Sequence, residues 1–193
     1  MPIGIVKESL ENETRAALLP SSVQKLVQAG AEVCIQSDLA KHLYISDDEY
    51  VSAGAQVLSR EDILASSDIL LSVRKPERDE VSRFKSGAVH ISFLDPFHET
   101  SLIEKMTERH ITAVSMEMIP RTTLAQKMDV LSSQASLAGY FAVILAAEHA
   151  NKIFPMMTTP AGKIQPARVF VTGAGVPGLQ AIATAKRLGA PVR

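Results

Sequence analysis

The run Gly173-Ala174-Gly175-Val176-Pro177-Gly178 has the spacing GxGxxG. It follows the apolar segment Val169-Phe170-Val171-Thr172 and leads into Leu179-Gln180-Ala181-Ile182-Ala183-Thr184-Ala185. The spacing alone says little, but between a strand and an Ala-rich helix it predicts a turn that receives a pyrophosphate. Gly173 permits the tight turn, Gly175 lets the backbone approach the phosphates, and Gly178 lets the helix pack close to the strand. The helix N-terminus then meets the anionic charge, and Pro177 falls in the first turn, where a missing N–H costs little. An acidic residue for the adenosine ribose is expected about 20 residues beyond the glycines. The sequence runs to Arg193, with a second strand only opening at Ala190-Pro191-Val192. The expectation is therefore a nucleotide fold cut after one strand and one helix. Its strand, Val169–Val171, should be unpaired, leaving residues 168–193 disordered or packed on another copy.

Other reactive residue types point to little chemistry. His42, His110 and His149 share no ligand spacing with a cysteine or carboxylate, so no metal is expected. His90, between Val89 and Ile91, reads as a satisfied structural histidine, and His98 as a surface or helix-start residue. Cys34, flanked by Val33 and Ile35, reads as a buried inert thiol. One cysteine forms no internal disulfide.

Short β-branched runs alternate with amphipathic helical windows. Strands are predicted at Ile3–Val6, Ala31–Ile35, Asp68–Val73, Ala88–Phe93 and Ile111–Met116. Helices are predicted after Pro20-Ser21-Ser22, and over Ser59–Ala65, Glu77–Phe84 and Thr100–Arg109, with a capping box at Ser46 and Glu49. This alternation predicts an α/β fold with a parallel, flavodoxin-like sheet across residues 1–130. Met118–Leu131 reads as a functional loop. Ser132 or Ser133 should cap a long connector helix, and Phe154–Pro166, with three prolines and a glycine, reads as a linker. The connector and linker occupy 131–166, and the first βα unit of a Rossmann domain occupies 167–193.

Composition narrows the partners. With 20 basic and 21 acidic residues along 193 positions and no basic stripe, neither nucleic acid nor an anionic membrane is favoured. The first residues carry no signal-peptide pattern. The weakly polar stretch Ala135–Ala147 is shorter than the roughly 20 residues a span needs, so a soluble chain without membrane insertion is expected.

Several runs carry a family likeness: Ser132-Ser133-Gln134-Ala135, Ala138-Gly139-Tyr140, Phe154-Pro155-Met156-Met157-Thr158, Ala161-Gly162, Pro166-Ala167, and Gly175 through Ala190. Together they closely resemble the NAD(H)-binding component of the proton-translocating NAD(P) transhydrogenases. The opening Ile3-Gly4-Ile5 with Glu8 and Asn12-Glu13-Thr14-Arg15 is similar to the start that component shares with alanine dehydrogenase. The resemblance covers the whole chain and is densest from Arg121 to Ala190.

The resemblance implies that Arg121, Gln126 and Asp129 form the loop that lies against the nicotinamide and ribose of NAD(H). Arginine donates, glutamine donates and accepts, and aspartate accepts or pairs with the arginine. Ser132 is similarly implied as a cofactor contact, beside Gly173, Gly175, Val176, Pro177 and Gly178. The implied activity is hydride transfer from NADH to NADP⁺ held by a separate domain and coupled to proton movement through membrane subunits. A homodimer and a cytoplasmic position, peripheral at the inner membrane through partner subunits, are implied with it. One alternative in the same fold is an alanine dehydrogenase-like enzyme. Arg15 suits both families, but Arg74 stands where that enzyme has lysine, and Asp95 where it has its histidine. The other alternative is a truncated, non-catalytic domain that binds nucleotide weakly or not at all and is inactive alone.

Overall fold

A computed structural model describes residues 1–193. The chain forms two compact units, Met1–Pro120 and Arg121–Arg193.

In the first unit β1 (Pro2–Ile5), α1 (Pro20–Gln28), β2 (Glu32–Gln36), α2 (Asp47–Ser52) and β3 (Gln56–Leu58) are followed by α3 (Arg60–Ser66), β4 (Ile69–Leu71), β5 (Val89–Ser92), α4 (Thr100–Glu108) and β6 (Thr112–Ser115). All six strands pair in parallel, in the order β3-β2-β1-β4-β5-β6. Without β3 this is the expected flavodoxin-like order. The added edge strand gives the doubly wound order of dinucleotide-binding sheets. β3 left no trace in the sequence because Gln56 and Val57 are both exposed, so no apolar run marks it.

Side chains alternate across each strand, and the two cores follow from that. Ile5, Val33 and Ile35 join Val23 and Tyr50 on one face. Cys34 and Leu70 join Ile63, Phe84, Leu102 and Met106 on the other. Helices thus cover both faces, as a parallel sheet requires. The Tyr50 hydroxyl, taken fully out of water, donates to the Leu18 carbonyl at 2.8 Å. Cys34 is buried, and desolvation pushes its thiol up, in agreement with an inert group.

Local signals worked unevenly. The Glu49 carboxylate accepts the Ser46 N–H at 3.0 Å, as the capping-box spacing predicts. α1 instead begins at Pro20, with Leu19 in the cap position and no side-chain cap, so Ser21 and Ser22 lie inside the helix. The helix expected over Glu77–Phe84 is only a 3-10 turn, Glu80–Arg83. That single turn already places Val81 and Phe84, three residues apart, in the core.

The second unit holds a 3-10 turn (Ala125–Met128), α5 (Val130–His149), the antiparallel hairpin of β7 (Met157–Thr159) and β8 (Gly162–Ile164), and α6 (Val176–Arg187). Three expectations are corrected here. The linker at Phe154–Pro166 contains the hairpin, which Gly162 turns at φ +127°, and it begins with Phe154 buried against Val143, Ala185 and Ala190. The strand at Val169 is paired: its N–H donates to the Pro191 carbonyl at 2.9 Å, its carbonyl accepts the Arg193 N–H at 3.0 Å, and the Val171 N–H donates to the Arg193 carbonyl at 3.0 Å. Gly189, at φ +87°, makes the turn that brings the chain back alongside. Phe170 nevertheless stays 77% exposed, so one side of this strand is uncovered. Finally, α5 is 20 residues long with a mean hydropathy of 1.6, long and apolar enough to cross a membrane, where the shorter Ala135–Ala147 stretch was not. Length and composition are the only grounds for that, and core helices share them; in this unit α5 buries Gly139 and Val143.

Candidate functional site

The loop of the second unit is built from its helix start. Asp129 has the cap position of α5, so the cap is neither Ser132 nor Ser133. One carboxylate oxygen accepts the Ser132 N–H at 2.8 Å and the other accepts the Ser132 hydroxyl at 2.6 Å. The Ser133 hydroxyl donates to the Asp129 carbonyl at 3.0 Å. Upstream, the Thr122 hydroxyl accepts the Ala125 N–H at 3.3 Å and starts the 3-10 turn that carries Gln126. Thr122 is a loop-ordering residue that sequence reasoning missed; its signal is a hydroxyl three residues before the first turn amide.

The four expected residues therefore divide into two kinds. Asp129 and Ser132 satisfy each other. Those bonds, reinforced by the more distant positive charge of Arg121, hold the Asp129 carboxyl below the usual carboxylate range. No carboxylate lies within 4.0 Å of the Arg121 guanidinium, which is exposed, and the Gln126 amide is exposed as well. The expected Arg121–Asp129 pairing is thus a field effect rather than an ion pair. Arg121 and Gln126 stand on the exposed side of the loop.

The glycine turn lies in the same unit. Gly173 has φ +93°, a conformation that L side chains resist, and Gly175 takes the cap position of α6 in an extended conformation. A Cβ at Gly178 would lie 2.1 Å from the Gly173 carbonyl oxygen, so the helix start and the strand end meet backbone to backbone. Beside Gly175 the nearest atom to such a Cβ is Pro177 Cδ at 4.0 Å, which leaves that side of the turn open. Val176 and Pro177 form the first turn of α6. Its leading amides lack intrahelical acceptors by geometry, and the helix dipole adds partial positive charge.

In the first unit, the crevice beyond the strand ends lies between β1 and β4, where the strand order reverses. The chain fills it itself. The Glu8 carboxylate accepts the Val73 N–H at 2.6 Å and the Arg74 N–H at 3.0 Å. Arg15 and Arg74 both bind the Glu13 carboxylate, the Arg15 Nε at 2.7 Å and the Arg74 Nε at 3.2 Å. Asp95, at φ 51°, pairs with Nδ1 of His98 at 2.7 Å. His90 is buried and stacked on Phe84, with Nε2 3.0 Å from the Ser92 hydroxyl. Its Nδ1 has no partner, so the structural histidine is only half satisfied.

Comparison with known proteins places these features. The family model described as alanine dehydrogenase/PNT, N-terminal domain, matches residues 4–138, and that of the C-terminal domain matches residues 142–193. The chain is 46% identical over 198 aligned residues to the first portion of the split NAD(P) transhydrogenase subunit alpha of Rhodospirillum rubrum, covering 100% of this chain and 52% of that protein. Among solved structures, transhydrogenase from Sinorhizobium meliloti superposes with a TM-score of 0.96 at 47% identity, over 100% of this chain and 57% of that one. An L-alanine dehydrogenase superposes with a TM-score of 0.85 at 28% identity, over 98% of this chain and 53% of that one. The chain spans about half the length of the relatives it matches. Fold, glycine turn and whole-chain likeness converge, and the chain belongs to the alanine dehydrogenase/PNT family.

Proposed function

We propose that this chain supplies the NAD(H)-binding loop and phosphate turn of an NAD(P) transhydrogenase. The observation that carries the reading is the division of labour in the loop. Asp129 and Ser132 fix the start of α5 by bonding each other, while Arg121 and Gln126 retain unpaired polar groups on the exposed side. A rigid base with two free donor groups is what orienting a nicotinamide amide and ribose requires.

In this role the dinucleotide supplies the hydride, which leaves the dihydronicotinamide carbon of NADH with its electron pair and arrives at the same carbon of NADP⁺. The chain itself transfers no proton. Arg121 and Gln126 hold the nicotinamide ribonucleotide face, Asp129 and Ser132 keep the loop in place, and the turn from Gly173 to Gly178 receives the pyrophosphate with its amides. The NADP(H)-binding domain and the membrane subunits are separate partners, and the chain works at the cytoplasmic face of the inner membrane as a homodimer.

An alanine dehydrogenase-like role has less support. The arginines that would hold a keto acid, Arg15 and Arg74, are engaged by Glu13, and Asp95 is paired with His98.

The test is a calorimetric or fluorescence titration with NADH, with NADPH, and with L-alanine plus NAD⁺. Saturable NADH binding that weakens in Arg121→Ala is the expected result. A folded chain that binds none of the three would overturn the reading for this chain.

A further inference from the structure

The middle of α5 touches the glycine turn. Gly139 is one of only two buried residues in that helix, the other being Val143. A Cβ built on Gly139 would lie 2.2 Å from the Pro177 carbonyl oxygen, 2.9 Å from its carbonyl carbon and 2.9 Å from its Cα. These are backbone atoms, so no side-chain rotation relieves the contact. Pro177 fixes its own φ, and Gly178, directly after it, is held against the Gly173 carbonyl by a contact as tight. The turn is therefore gripped from two sides, by its own strand at Gly173 and by α5 at Gly139.

We infer that Gly139 is a positioning residue for the dinucleotide: it seats the first turn of α6 against α5 and so sets where the phosphate-binding amides point. The inference rests on the reading of the turn as a phosphate site. The same helix begins at Asp129 and Ser132, so α5 joins the base of the Arg121–Gln126 loop to the turn through one continuous element. Nine residues separate Val130 from Gly139, a rise of about 14 Å along a regular helix. Both ends of a bound dinucleotide would then be registered to one rigid rod. A side chain at 139 would push the Pro177 carbonyl back by about 1 Å, a misplacement of the size that can reduce a positioned reaction on the order of a hundredfold.

Helix propensity argues in the opposite direction, which makes the test sharp. Gly is a poor residue inside a helix and Ala the best, so by propensity alone Gly139→Ala should stabilise α5. Gly139→Ala and a control, Leu137→Ala at a position 61% exposed on the same helix, are compared with the unaltered chain by amide hydrogen exchange and NADH titration. The expected result for Gly139→Ala is faster exchange at Leu179 and Gln180, the first amides of α6 with acceptors in the turn before them, and a loss of NADH affinity of roughly tenfold or more. Leu137→Ala should leave both unchanged. Exchange at those amides equal to or slower than in the unaltered chain overturns the inference, whatever the titration gives. If the unaltered chain binds no NADH, the phosphate-site reading falls, while the exchange comparison still decides whether Gly139 seats the turn.

Discussion

Asp129 holds Ser132 twice, through the backbone N–H at 2.8 Å and the hydroxyl at 2.6 Å, and this pair fixes the junction of loop and helix. It ties two residues expected at the cofactor to the construction of α5, and it makes their variants separable. Asp129→Asn keeps a good capping side chain and removes the charge, whereas Asp129→Ala removes both. Asp129→Ala should lower the melting temperature of the second unit and abolish NADH binding; Asp129→Asn should melt near the parent and lose affinity only. Equal melting temperatures for the parent and Asp129→Ala would show that the cap does not support the helix. Thermal melts followed by circular dichroism, paired with the titration, read both effects.

Arg121 and Gln126 contribute nothing to that cap, so their removal should leave stability alone. Arg121→Ala should weaken NADH binding roughly tenfold or more, the scale of a hydrogen bond to a polar or charged group, with an unchanged melt. Arg121→Lys should recover only a fraction, because a single ammonium cannot present the planar fork. Full recovery with lysine would mean that the position supplies charge alone.

The Glu13 carboxylate, bonded by Arg15 and approached by Arg74, is pulled down to about 2 from an ordinary 4.5. A carboxyl depressed on folding contributes stability that is present above its unfolded value and lost as pH falls through its folded value. Glu13→Gln should thus destabilise the first unit at neutral pH by about 1 kcal/mol, the scale left after solvent screening. The difference from the parent should shrink as pH falls from 4.5 towards 2. Glu8 has the opposite sign: desolvation outweighs its two backbone bonds and raises its carboxyl. Its ionisation therefore subtracts stability as pH rises past the ordinary glutamate value. Relative to the parent in urea melts, Glu13→Gln should show a deficit that grows as pH rises from about 2 to 4.5, and Glu8→Gln a gain that grows as pH rises past 4.5.

Sequence reading went furthest where burial writes a pattern. The strands carrying Ile5, Ile35 and Leu70 were legible because each holds consecutive apolar residues facing two cores. The glycine turn was legible because a left-handed φ and a close backbone approach each restrict the residue type. β3 was not legible, since its short edge strand buries almost nothing. The true cap of α5 was hidden by competition: Asp129, Ser132 and Ser133 all suit the position, and only the fold decides which oxygen meets which amide. Ala190-Pro191-Val192 was read as the opening of a second strand, but its pairing with Val169 was missed, because so short a segment with a proline in it gives no cue to the strand it meets. Gly139 was seen only within a resemblance, because a glycine inside a helix does not say in sequence what it makes room for.

His90 supplies the acid limit of the first unit. It lies under Phe84 with one ring nitrogen unpartnered, and burial pushes its value down to about 4 from an ordinary 6.5. The unfolded chain takes up a proton below 6.5 while the folded chain does not until about 4. Stability from the neutral ring is therefore complete above the higher value and is lost as pH falls through that window, by roughly 3 kcal/mol at most. His90→Gln should flatten this stretch of the stability profile while costing packing against Phe84 at every pH, so its curve should start lower at neutral pH and converge on the parent near pH 4. The measurement is a series of urea melts from pH 7 to pH 4. Parallel curves separated by a constant offset would mean that the buried ring takes up its proton as readily in the folded chain as in the unfolded one, and that its role is packing alone.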